Sequence, residues 1–236
     1  MRVSRQRSFE FRTWGGKRKG AGRPPKGKRS SERHKKRPRL KKTHPVHVVL
    51  RVMPAVGRLR TRNLYRAIQR ALIFSAVPRH DFRICDVSIQ GNHIHLIVEA
   101  DDERALARGM QGFEISAAKH INRALSKETG RRRIGQVFAD RYHAKQLTSP
   151  TQVRHGLCYV RNNWRRHGED KRLPGRAYDP FSSSEYSDGW DDEAQTYWMS
   201  DDDELLPICR PQSWLLSEGW KKAGLLSPWE VPGPEN

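Results

Sequence analysis

Two imidazoles separated by one apolar residue, His93 and His95 in Gly91-Asn92-His93-Ile94-His95-Leu96-Ile97-Val98, are the side chains of this chain best suited to chemistry. The run reads as a strand, in which residues i and i+2 share a face. Two neutral imidazoles then stand a few ångströms apart and form a half-site for a divalent cation, with Ile94 turned to the packed side. Taken alone, such a strand serves equally well for hydrogen bonding at a sheet surface. A second row lies downstream: His155, Tyr159 and Asn163 follow at steps of four, so on a helix they project side by side. A phenol titrates at about 10, and a nearby cation favours its phenolate, which makes Tyr159 a candidate nucleophile. Asn163 can add an amide oxygen as a third metal ligand.

The elements that must carry these rows follow from periodicity. From His44 onward, Val46, Val48 and Leu50 alternate with His47, Val49 and Arg51, a first strand closed by Pro54 and Gly57. Leu64, Ala67, Ile68, Ala71 and Leu72 recur at helical spacing over residues 61–76. Residues 82–90 read as a second strand, Gly91-Asn92 as a hairpin turn and residues 93–99 as a third strand. Asp101-Asp102-Glu103 opens a long helix with the stripe Leu106, Met110, Phe113, Ala117, Ile121 and Leu125, ending near Gly130. Residues 136–147 are expected as a fourth strand, and Ser149-Pro150 caps a last helix that Gly168 ends. This order predicts an α+β fold: a ferredoxin-like or RRM-like split βαβ unit with a four-stranded antiparallel sheet, plus an additional C-terminal helix. Two helices cover one face and the other is left for a ligand. RNA-recognition modules stack bases there on aromatic residues, whereas the third strand here offers His93, His95 and Ile97, which points to metal chemistry.

Charge divides the 236 residues into three parts. Residues 1–43 carry 18 Lys/Arg against 2 Asp/Glu, residues 44–168 carry 22 against 9, and residues 169–236 carry 6 against 15. The first is expected to be a disordered basic arm, because it has almost no aliphatic residues to offset the entropy of ordering. Its segment 17–29, around Gly22-Arg23-Pro24, resembles an AT-hook, although Ala21 stands where that motif has Arg; Arg23 and Lys26 are the candidate contacts to A·T-rich duplex DNA. A basic front and middle attract a polyanion, and nucleic acid is the expected one. No apolar run approaches the roughly 20 residues needed to span a bilayer, and there is no apolar stretch of a secretory signal. A cytoplasmic protein without membrane contact is expected. Cys85, Cys158 and Cys209 are widely spaced and suggest neither a zinc knuckle nor a disulfide framework.

The run Asn92-His93-Ile94-His95-Leu96 together with Tyr159-Val160-Arg161-Asn162-Asn163 resembles the single-tyrosine HUH transposases, including the REP-associated tyrosine transposases, over about residues 44–168. Gly91 stands where many relatives have Pro, and Trp164 where many have Pro after the Asn. The resemblance implies cleavage and rejoining of single-stranded DNA near a hairpin through a 5′-phosphotyrosine on Tyr159. His93, His95 and Asn163 would then hold Mg²⁺ or Mn²⁺, which phosphoryl transfer with an amide oxygen favours over zinc. It also leaves a homodimer open, in which the tyrosine helix crosses to the partner's histidines.

Other residues take supporting roles in this reading. Arg131, Arg132 and Arg133 in a loop, and Arg161, Arg165 and Arg166 on the last helix, are candidate phosphate contacts, with a solvated face as the alternative for each. His143 and His155 are candidates for proton transfer to the leaving oxygen. Tyr142 is a rival nucleophile, but on a strand it lacks an amide partner four residues on. Residues 169–236 read as an acidic, Trp-containing extension, in which 169–204 can wrap the basic domain and 207–232 either pack on it as a short helical appendage or form a flexible tail with a few anchoring tryptophans. The competing function is a domesticated protein that binds structured single-stranded DNA or RNA without cutting it.

Overall fold

The computed structural model describes residues 39–75, 79–191 and 205–233. The expected arm, with Arg23 and Lys26, lies outside the described residues apart from positions 39–43, as does the acidic run 201–204. The elements are β1 (Val46–Arg51), α1 (Arg62–Ser75), β2 (Phe82–Ile89), β3 (His93–Ala100), α2 (Glu103–Thr129), β4 (His143–Gln146), α3 (Pro150–Arg166) and a short α4 (Trp214–Ser217). The four strands form one sheet in the order β2-β3-β1-β4, antiparallel throughout. This is the α+β ferredoxin-like plan, with α3 added.

Alternation along the strands separates two cores. Val46, Val48, Leu50, Ile94, Leu96 and Val98 point to one side and bury against Leu64, Ile68 and Leu72 of α1 and Met110, Phe113 and Ile121 of α2. The opposite side presents Ile97, which packs with Leu147, Val153, Leu157 and Val160 under α3. A bulge at Cys85 shifts β2 by one residue, so that Ile84 still pairs with Val98 but Asp86 comes opposite Ile97 and faces α3. Asp102 caps α2 by accepting from the Ala105 amide, and Gly130 ends it in the left-handed region at φ 66°.

Two expectations need correction. The fourth strand is short, because residues 136–142 meet the first strand only at its end, where Phe138 bridges Val52, the Ala139 amide donates to the Arg51 carbonyl and the Met53 amide to that of Val137; Val137 and Phe138 turn into the first core. The second sheet face is not left open. α3 covers much of it, and the C-terminal extension packs against both, with Trp220, Leu215, Leu216 and Leu226 completing the second core.

The acidic character of that extension has a physical use. Asp179 is fully buried and receives a two-pronged bond from Arg60 at 2.7 and 2.8 Å. Glu230 does the same for Arg154, and Glu169 pairs with Arg58. Conversely, Glu99 of β3 accepts from the backbone amides of Gln212 and Ser213. The charge opposition of the two segments is thus converted into specific pairs that fix the extension to the domain.

Candidate functional site

β3 begins directly after the tight turn at Gly91 and Asn92, so His93 and His95 head the strand on the face opposite α1 and α2. Nδ1 of His93 lies 2.7 Å from the Asn92 side-chain oxygen. That contact holds the proton on Nδ1 and leaves Nε2 with its lone pair. The two rings stand edge to face with centroids 4.6 Å apart.

α3 delivers the second row. Ser149 caps it by accepting from the Gln152 amide, and Pro150 occupies its first turn. A methyl group at Gly156 would come within 2.9 Å of Leu147, so glycine there lets the helix lie close over the end of β4. His155 is exposed, Tyr159 half-buried and Asn163 fully buried, so the row descends from solvent to the sheet. The Tyr159 ring meets the edge of His95 at a centroid distance of 5.2 Å. One turn further, Nδ2 of Asn163 donates to Nε2 of His95 at 3.1 Å. Sheet and helix belong to the same polypeptide.

Two histidines that spacing did not single out complete the cluster. Nε2 of His47, on β1, lies 3.1 Å from Nδ1 of His95, and the rings stack with centroids 5.2 Å apart. An amide nitrogen can only donate, so His95 accepts through Nε2 and hands its Nδ1 proton to His47. His167, at the C-terminal cap of α3, brings its ring to 5.9 Å from that of His93. The signal for His47 was present in the alternation of β1, but it acquires meaning once β1 is known to pair with β3.

Electrostatics keep these rings neutral. Burial, then His143, Lys145 and His93, lower His47 to about 4. Burial, then His167 and Arg51, lower His93 to about 4 as well, and His95 is pushed well down by burial with His47 next. Neutral imidazoles are the form that binds metal. Oδ1 of Asn163 is buried with no hydrogen-bond partner, beside the nitrogen of His95 that carries a lone pair. Rotation of the Asn163 amide would free Nε2 of His95 and turn Oδ1 toward it, and the two imidazole nitrogens with that oxygen would then fit a divalent cation. Among the described residues no three His, Cys, Asp or Glu side chains converge on a metal position, so the third donor would be this amide.

A cleft of about 430 Å³ opens beside the cluster, lined by His47, Lys145, His155, Tyr159 and Glu230 among others. His143 is exposed on β4, opposite Val49. Tyr142 packs against the first core, on the far side of the sheet from Tyr159.

The arginines divide. Arg131 and Arg132 are exposed beyond α2, while Arg133 folds back onto Asn122 and the Gln136 carbonyl. Arg166 is exposed, with one nitrogen on the Pro232 carbonyl. Arg161 and Arg165, expected as phosphate contacts, are turned into the protein instead. Arg161 is 6% exposed and forks onto Asp86 at 2.9 and 3.2 Å, since the bulge in β2 presents that carboxylate to α3. Arg165 donates to the carbonyls of Pro228, Arg176 and Ala177, which ties down the extension.

No curated protein matches the chain. A solved structure of a REP-associated tyrosine transposase bound to a REP hairpin is similar over 77% of this chain and 100% of that one, at 18% identity and a TM-score of 0.48. The family model described as IS200-like transposase matches residues 40–163, from the segment before β1 to Asn163. With more than half its length inside that match, the chain belongs to the IS200-like transposases.

Proposed function

We propose that this transposase cleaves and rejoins single-stranded DNA near a hairpin, with Tyr159 as the nucleophile and His93, His95 and Asn163 as ligands of Mg²⁺ or Mn²⁺. The phenol oxygen attacks the scissile phosphorus, the bond to the 3′-oxygen breaks, and that oxygen departs as a 3′-OH carrying one proton. The 5′-phosphotyrosine conserves the energy of the phosphodiester, so a second 3′-OH can reverse the step on another strand without an external energy source. A bound divalent cation would supply Lewis-acid polarisation of the scissile phosphate.

The chain's own residues do the rest. Asn92 and His47 orient the two imidazoles through their Nδ1 atoms. Leu157 and Val160 pack with Ile97 and fix α3 on the sheet, which sets the height of Tyr159 above His95. His155 and His143 stand at the solvent side, where a proton leaving the phenol or reaching the 3′-oxygen can be exchanged. The observation that carries the reading is the contact of Tyr159 and Asn163, one helical turn apart, with the same imidazole of their own chain. That contact supports a tyrosine that acts on a phosphate held by the histidines of its own chain.

The test is incubation of the full chain with single-stranded hairpin DNA and Mn²⁺, followed by denaturing electrophoresis. A covalent protein–DNA adduct is expected, abolished by Tyr159→Phe and by chelation of the metal. Asn163→Ala should lower the adduct yield and weaken Mn²⁺ binding measured without DNA. An undiminished adduct from Tyr159→Phe refutes the proposal, and metal-independent hairpin binding with no cleavage would favour the non-cleaving alternative.

A further inference from the structure

The cleft beside Tyr159 contains one cation with no task so far in the proposed cleavage. Lys145 lines it together with Tyr159, His47 and His155, and among the described residues no other Lys or Arg does so. The strand fixes where that side chain goes. β4 pairs with β1 so that Lys145 stands opposite His47, while its neighbour Ala144 packs toward the first core, which turns Lys145 to the face of His95 and α3. The end of the strand is held in place: the Leu147 amide donates to the Pro45 carbonyl, and the Leu147 side chain lies against Gly156 of α3.

Across the sheet His95 on β3, His47 on β1 and Lys145 on β4 then follow in one direction, on neighbouring strands about 4.8 Å apart. Tyr159 stands over the first two, its ring 5.2 Å from that of His95 and 5.9 Å from that of His47. Strand order thus puts the proposed metal ligands to one side of the phenol and Lys145 to the other. Charge balance gives this arrangement a use. The imidazoles are held neutral, and Glu230, the one carboxylate among the residues lining the cleft, is engaged by Arg154 at 2.7 and 2.8 Å. A phosphodiester carries one negative charge, and attack by a phenol that gives up its proton adds a second at the phosphoryl group. A cation on the histidines offsets that charge from one side only.

We propose that Lys145 binds a non-bridging oxygen of the scissile phosphate, on the side of Tyr159 away from the metal ligands, and holds it for attack. The proposal rests on Tyr159 as the nucleophile. The bond from the phenol oxygen to phosphorus forms, the bond to the 3′-oxygen breaks, and that oxygen leaves with one proton; Lys145 keeps its own protons throughout. Its flexible four-carbon stem lets the ammonium follow the phosphoryl oxygens as they move.

The experiment compares the full chain with Lys145→Met and Lys145→Arg, on a labelled single strand flanking a DNA hairpin, with Mn²⁺. At saturating strand, Lys145→Met should slow adduct formation by about a hundredfold or more, the loss expected when one donor to a developing oxyanion is removed. Mn²⁺ binding measured without DNA should be unchanged. Lys145→Arg should recover most of the rate, because a guanidinium keeps the charge and does not accept a proton. A native rate in Lys145→Met overturns the proposal, as does a loss of Mn²⁺ affinity, which would assign the lysine to the architecture of the metal site. An arginine variant as slow as the methionine one also overturns it and makes Lys145 a proton acceptor. If the native chain forms no adduct on any strand, the nuclease reading fails and binding alone decides this site. The log–log salt slope for the strand should then fall by about 1 in Lys145→Met, and stay native in Lys145→Arg and in the control Lys222→Met, at an exposed lysine of the extension. An unchanged slope in Lys145→Met, or an equal fall in the control, removes the phosphate contact.

Discussion

Replacing Arg161 with methionine removes the guanidinium that ion-pairs with Asp86 while keeping most of the apolar volume. Both partners are buried, with side chains 7% and 4% exposed, and the contact is two-pronged. Water cannot take over the solvation of Asp86, which keeps the hydroxyls of Ser183 and Ser187 as remaining donors. Stripping one partner from a buried pair costs about 3–5 kcal/mol, most of it the penalty of the carboxylate left behind. At about 2–4 °C per kcal/mol for a chain of this size, the melting temperature should drop by about 6–20 °C. Asp86→Asn added to Arg161→Met removes the stranded charge and should restore a large part of the loss. The assay is thermal unfolding followed by circular dichroism, together with hairpin binding over a range of salt well below the transition. Had Arg161 been a phosphate contact, the melting point would hardly move and the salt slope would fall by about 1. That pair of results would refute the argument that the bulge at Cys85 turns this arginine inward.

Two glycines in α2 should respond to alanine with opposite signs. A Cβ at Gly109 would come within 2.2 Å of the Phe82 ring, so Gly109→Ala overpacks the first core and costs about 1–3 kcal/mol by chemical denaturation. Gly112 is exposed with nothing near a Cβ, so Gly112→Ala should stabilise by up to about 1 kcal/mol. Equal effects at the two sites would contradict the packing. Alkylation of the native chain at mildly alkaline pH should modify Cys209, which is half-buried, and spare the other two thiols until denaturant is added. Burial pushes the Cys158 thiol up to about 12 and raises Cys85 too. Rapid labelling of either in the folded chain, read by mass spectrometry, would show that the second core opens.

Much of the framework is local in origin, and so it can be read from the chain. The strand of His93 and His95 announces itself by a period of two after a Gly-Asn turn. The helix of Tyr159 and Asn163 announces itself by a Ser-Pro start and a period near four. The order of these elements, with right-handed crossovers, leaves few topologies other than the observed sheet.

What tertiary structure decided is everything that depends on pairing between distant segments. Spacing carries no information on which strand lies beside β3, so the role of His47 as partner of His95 waited for the β1–β3 register. A bulge of one residue at Cys85 reverses the facing of Asp86, and with it the fate of Arg161, seventy-five positions away. The acidic extension has no period of its own; its conformation follows from arginines of the domain that its carboxylates meet. Local propensity sets elements because it acts within a turn or a strand pair, whereas burial and charge pairing act across the whole fold and choose which of the available side chains face the site.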